Sequence, residues 1–315
     1  MVKVKLVLAT LTVLCSATTS AASITSSFSS VREVMVSIRG EITPGDERVV
    51  EGFLAVLRSD GRARVDIQSK GGDVQTALAI GRVLRRHDAV VRTGECLSSC
   101  VFVLIGGVVR VVMTNALRGT GVGLHRPYFG ALPPNLTSAD ITNRRNKLKE
   151  QIATYINEMN VTSRLLDLME AIPPEKMKML TDAELEDLGL NASDPVWDEK
   201  VVANTAALHG VSSVEFRNRR ANSEAKCPYP RFAQLQKTPP EKAESLFQDQ
   251  DECSEAILWG LSRDEYRSRD GIYKGWLAAS PYVDRGLYYG SPSDIAAVLR
   301  CYTRIMTTGA RTCTP

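Results

Sequence analysis

Three short stretches carry residues whose types and order suit acyl transfer. In Ser69-Lys70-Gly71-Gly72-Asp73, paired glycines lie between a strand-like run and a helix-like run. Such glycines permit positive φ and close backbone approach, and a helix start presents unpaired N–H groups to an oxyanion. In Gly94-Glu95-Cys96-Leu97-Ser98-Ser99-Cys100 a second strand end enters a helix, with Ser98 at the helix N-terminus, where the dipole favours developing negative charge. Gly121-Val122-Gly123-Leu124-His125-Arg126-Pro127 delivers a histidine, the side chain best suited to take a serine proton near neutral pH. Each stretch alone has a plainer reading: a tight turn, an N-cap at Ser98 or Ser99, and a strand-end histidine bonded for structure.

The elements that must position these residues alternate short apolar runs with helical periodicity, which predicts successive β-α-β units and an α/β fold. Strands are expected at Val34–Ile38, Ala63–Gln68, Val90–Thr93, Val108–Met113 and Val122–His125. Helices are expected over 46–58, from Asp73 as cap through Leu84, over Ser98–Ile105, and then at Ser138–Met159, Ser163–Ala171 and Asp182–Asp187. The charged, mixed face of Ser138–Met159 reads as a solvated or partner-facing surface. Composition shifts near Ala206 towards Arg, Ser, Pro and Tyr, so a domain over 33–205 is followed by a cysteine-containing segment over 206–315. In that segment Trp276, Tyr282, Tyr288 and Tyr289 read as a minimal core or a binding face.

With 315 residues, 43% hydrophobic and 24% charged, the chain is of ordinary globular composition. Residues 1–22 read as a secretory signal peptide: Lys3 and Lys5, an apolar run from Leu6 to Cys15, then small residues to Ala22. That implies a periplasmic or secreted protein. Without those two lysines 37 basic residues face 36 acidic ones, a balance that recommends no nucleic-acid partner. The three histidines, His87, His125 and His209, are far apart and no C-x-x-C occurs, so neither a metal nor a cofactor is expected.

Beyond Cys15 six cysteines remain, an even number suited to an oxidising compartment. Of the 15 possible connectivities, proximity favours Cys96 with Cys100, Cys227 with Cys253 and Cys301 with Cys313. The alternative for Cys96 and Cys100 is a pair of buried thiols.

Together the three stretches resemble the proteolytic subunit of the Clp protease, ClpP, within the ClpP/crotonase superfamily, over roughly Val34–Leu190. Ser69-Lys70-Gly71-Gly72 is similar to that family's S-P-G-G, with Lys70 in place of proline. Gly94–Ser99 is similar to G-x-A-A-S-M, Leu124-His125-Arg126-Pro127 to I-H-Q-P, and Leu180–Leu190 to L-S-x-x-E-A-x-x-x-G-L. The resemblance implies a spiral of β-α-β units, a nucleophile at Ser98, a base at His125, and an oxyanion hole from the backbone N–H groups of Gly72 and Ser99. The position of the family's aspartate falls on Met177. Glu175 is the nearest carboxylate to serve as third member, with Asp167 and Glu170 as further choices, and Lys70 is a conceivable base.

The expectation is therefore an exported serine hydrolase acting on peptide or protein substrates, without an ATPase partner and with ring-like homo-oligomerisation implied by the resemblance. A catalytically inactive binding or scaffold protein of the same fold is the alternative, favoured by Met177. Crotonase-type acyl-CoA chemistry is disfavoured by the Ser98 and His125 pair.

Overall fold

The computed structural model describes residues 21–30, 33–57, 61–113, 121–129, 133, 135–230, 238–280 and 292–313. The expected signal peptide, apart from Ala21 and Ala22, lies outside them, as do Tyr282, Tyr288 and Tyr289.

Strands β2 (Glu33–Arg39), β3 (Arg62–Ser69) and β4 (Val90–Leu97) run parallel at the heart of a seven-stranded sheet. β-branched residues alternate along β2 and β3, burying Val34, Val36 and Ile38, then Val65 and Ile67. β1 (Ser23–Ser30) adds antiparallel to β2. β4 divides its partners: Val90–Thr93 pairs with β5 (Val109–Val112), and Glu95–Leu97 with β6 (Gly121–Leu124), both parallel. Gly94 is the residue between, and on the β3 side it is passed over, with Thr93 opposite Ile67 and Glu95 opposite Gln68. β7 (Lys178–Met179) closes the far edge antiparallel to β6.

Helices α1 (Asp46–Leu54) and α2 (Val74–Arg86) follow β2 and β3, and the wholly buried α3 (Cys100–Gly106) follows β4. Asp73 caps α2, its carboxylate accepting from the Thr76 N–H at 2.8 Å. α4 (Ser138–Glu158) buries only its second half, through Leu148, Ile152, Tyr155 and Ile156. Tyr155 donates its hydroxyl to the Phe102 carbonyl at 2.5 Å, and burial holds that phenol above its ordinary pKa. α5 (Arg164–Ala171) and α6 (Asp182–Asp187) complete the sheet domain.

Two expectations are corrected. The helix expected from Ser98 starts at Cys100, because Ser98 has φ of 56° and cannot belong to a right-handed turn. The strand expected to end at Thr93 runs to Leu97, held beyond Gly94 by pairing with β6. α7 (Pro195–Leu208), with Asp194 as its cap and Pro195 in its first turn, spans the point near Ala206 where composition shifts.

Asp194 joins α7 to the sheet domain. Its buried carboxylate receives Arg85 at 2.8 Å, Asn160 at 3.0 Å and the Trp197 N–H at 3.0 Å, with Arg110 at 3.8 Å. Burial works against its charge, but these donors outweigh it and hold the carboxyl below its usual range. Burial, reinforced by the neighbouring Arg85 charge, brings Arg110 down to about 10.

α7 continues into α8 (Ser213–Lys226), α9 (Pro240–Trp259), α10 (Arg263–Ala278) and α11 (Pro292–Thr308). Trp259 packs between His209 at 4.1 Å and Tyr302 at 5.4 Å, and Tyr302 meets Tyr273 at 4.6 Å, an aromatic cluster made of residues other than those singled out in the sequence. The structure contains the disulfides Cys96–Cys100, Cys227–Cys253 and Cys301–Cys313. The second ties α8 to α9, and the third ties α11 to the chain beyond it.

Candidate functional site

The three stretches meet at the carboxyl ends of β3, β4 and β6, where parallel sheets leave a crevice for ligands. Pairing of Leu97 with Gly123 sets Ser98 and His125 one step past neighbouring strand ends. The Ser98 N–H donates to the Gly123 carbonyl at 2.8 Å, fastening the junction. Ser98 and His125 line one open cavity of about 1210 Å³ together with Gly71, Gly72, Ser99 and Glu175. Its walls mix apolar residues such as Phe102, Leu148 and Met169 with Arg39, Glu41 and Lys70.

Ser98 is one of three non-glycine residues with positive φ among the described residues. A left-handed conformation costs of order 1–3 kcal/mol and is kept only where the surroundings fix it. Gly71 is one such fixture: with φ of 103°, it lies so close that a Cβ there would stand 2.7 Å from the Ser98 Cβ and 3.1 Å from its Oγ. Any side chain at residue 71 would occupy the space of the serine.

Hydrogen bonds hold the glycine turn against the end of β2. Gly71 donates its N–H to Ser69 Oγ at 3.1 Å and accepts from the Ile42 N–H at 2.8 Å. The Asp73 N–H donates to the Ile42 carbonyl at 2.8 Å. Between them the Gly72 N–H has no acceptor among the described residues, and beyond Ser98 the same is true of the Ser99 N–H. Ser99 stands at the N-cap of α3 but its hydroxyl makes no cap bond; it donates instead to the Gly72 carbonyl at 3.0 Å, joining the two stretches.

His125 is buried, and its Nδ1 lies 2.9 Å from the Arg126 carbonyl oxygen. With the proton on Nδ1, that carbonyl accepts it and Nε2 keeps its lone pair. No hydrogen bond joins His125 to Ser98 or Glu175 among the described residues. Glu175 is exposed on the cavity wall, and Glu170 is bound to Arg145 at 3.2 Å. Met177 and Met179 lie over β6, each sulfur 2.9 Å from where a Gly123 Cβ would stand. The second glycine of the Gly121–Gly123 pair therefore leaves room for two thioethers. Among the described residues no cluster of three His, Cys, Asp or Glu side chains is placed to hold a metal.

Two contributors were not picked out from the sequence: Gly71, as the surface against which Ser98 rests, and the Arg126 carbonyl beside His125. The paired glycines signalled the first; nothing in the residue types signals the second.

No known protein family matches the chain, and no curated protein does. Among solved structures, a mutant of ClpP1 from Listeria monocytogenes is similar at 18% identity, covering 51% of this chain and 89% of that one, with a TM-score of 0.39.

Proposed function

We propose that this chain is an exported, ClpP-like serine hydrolase that cleaves peptides or accessible protein segments. The observation that carries the reading is Ser98, held left-handed at a strand-to-helix junction, in one cavity with His125 and beside two backbone N–H groups that lack an acceptor among the described residues.

In the proposed cycle Ser98 Oγ attacks a carbonyl carbon while His125 Nε2 takes the hydroxyl proton, and the resulting oxyanion accepts from the Gly72 and Ser99 N–H groups. The tetrahedral intermediate collapses, the C–N bond breaks, and the leaving amine takes the proton from His125. Water then attacks the acyl carbon while His125 takes its proton, and on collapse the bond to Ser98 Oγ breaks, the acid leaves and Oγ regains the proton from His125. The Arg126 carbonyl orients the imidazole, and Glu175, on the wall of the same cavity, is the carboxylate offered as an electrostatic partner.

Three disulfides fit an extracellular or periplasmic setting, and no helix among the described residues is long and apolar enough to cross a membrane. In such a setting no ATPase partner is expected, and association into a homo-oligomer is part of the proposal.

One observation favours a binding or scaffold role: Met177, which brings a thioether rather than a carboxylate to the neighbourhood of Gly123. A fluorophosphonate probe separates the two readings. The parent protein is expected to be labelled and Ser98→Ala to remain unlabelled with unchanged circular dichroism; equal labelling of both refutes the assignment.

A further inference from the structure

The bridge between Cys96 and Cys100 encloses Leu97, Ser98 and Ser99, the three residues over which the chain passes from β4 into α3. Cys96 is the penultimate strand residue, opposite Ser69 on one side and Val122 on the other. Cys100 opens the helix. Their Cα atoms are 5.2 Å apart, and both residues are fully buried while Ser98 faces the cavity. The covalent link thus lies on the core side of the junction and the hydroxyl on the open side.

The non-covalent restraints on Ser98 leave the span from strand to helix uncovered. Its N–H is held by Gly123, its carbonyl accepts from the Val101 N–H at 3.2 Å, and Gly71 packs against its left-handed form, but none of these fixes how far Cys96 stands from Cys100. The bridge fixes that span at 5.2 Å between Cα atoms, which excludes an extended Ser98. A right-handed or extended Ser98 would redirect the chain and carry Oγ away from Gly71 and the Gly72 N–H.

We infer that Cys96 and Cys100 are positioning residues, whose bond keeps Ser98 in the compact turn that packing against Gly71 makes left-handed, and so aligns its hydroxyl with the Gly72 and Ser99 N–H groups. This deepens the hydrolase reading and rests on it. Burial of both residues makes the link a fixed clamp rather than an accessible redox switch.

The test compares fluorophosphonate labelling of full-length parent, Cys96→Ala with Cys100→Ala, the fuller-sized Cys96→Ala with Cys100→Val, and Cys301→Ala with Cys313→Ala as a control for losing a bridge elsewhere. Rates are taken across probe concentrations at a temperature well below every melting midpoint. Both variants at 96 and 100 are expected to lose at least tenfold in the saturating rate, with half-saturating concentration changed less than threefold; the control stays within twofold of the parent. A saturating rate within twofold of the parent in either folded variant overturns the clamp and leaves the hydrolase reading intact. So does an equal loss in the control, or failure of both variants to melt cooperatively, which makes the bridge a requirement of folding. A parent that is not labelled, or labelling that survives Ser98→Ala, overturns the hydrolase reading itself and the clamp with it.

Discussion

Gly71 and Ser98 are in mutual contact to the limit of what their backbones allow: one added carbon on residue 71 would come within 2.7 Å of the serine Cβ and 3.0 Å of the Leu97 carbonyl oxygen. Since Gly71 also has φ of 103°, Gly71→Ala meets both steric overlap and an unfavourable conformation. The variant is expected to lose about 1–3 kcal/mol of stability in urea denaturation, and at least tenfold in fluorophosphonate labelling rate. Retention of the full labelling rate would show that the glycine does not set the position of the hydroxyl.

The imidazole and the carboxylate on the cavity wall are separated by exchange. His125→Ala removes the proposed proton acceptor and is expected to lower labelling at least a hundredfold, within the range for general-base catalysis. Glu175→Gln, which keeps the shape and removes the charge, is expected to change it less than threefold, because the Arg126 carbonyl already stands at Nδ1. A loss for Glu175→Gln as large as that for His125→Ala would make Glu175 the third member of a triad.

Asp194 is the buried anion between Arg85, Arg110 and Asn160, and the cap of α7. Asp194→Ala leaves two guanidinium groups without their carboxylate, and is expected to cost about 3–5 kcal/mol in urea denaturation. Loosening of α7 should accompany it, measured as faster amide exchange over Pro195–Leu208. A change below about 1 kcal/mol would reduce this cluster to the standing of a surface ion pair.

Acid should weaken the helical unit. Burial, with the Arg219 charge in support, pushes His209 down to about 4 from an ordinary 6.5. The unfolded chain therefore binds more protons than the folded one between those values, and stability falls as pH drops from about 6.5 to about 4. His209→Phe, which keeps the packing against Trp259 and Phe216, is expected to reduce the drop in melting temperature between pH 7 and pH 4.5. An unchanged drop would assign the acid sensitivity to other groups.

The central parallel strands and the capped α2 were readable because their signals are local: alternating Val and Ile in β2 and β3, and Asp73 before an apolar helical stripe. The same holds for the three cysteine pairs, each closed between near neighbours in sequence. The cavity assembled from Gly72, Ser98, Ser99 and His125 was anticipated as a grouping, through the order of the three stretches. What escaped depends on distant partners. β1 is rich in Ser and Thr and is a strand because β2 pairs with it. The left-handed Ser98 follows from packing against Gly71 and cannot be inferred from residue type, since serine is common at ordinary helix starts. α7 did carry a local signal, Asp194-Pro195, which the later shift in composition obscured.

Gly94 stands where β4 exchanges one neighbour for the other, unmatched on its β3 side. Because it is an extra residue with no partner on β3, Thr93 and Cys96 lie on one face, opposite Ile67 and Ser69, although they are three positions apart instead of two. Deleting Gly94 would leave Cys96 on that face and remove the local bend at which β4 passes from β5 to β6. A single backbone unit without a side chain thus acts as the spacer between the half of β4 that pairs with β5 and the half that carries the chain on to Ser98.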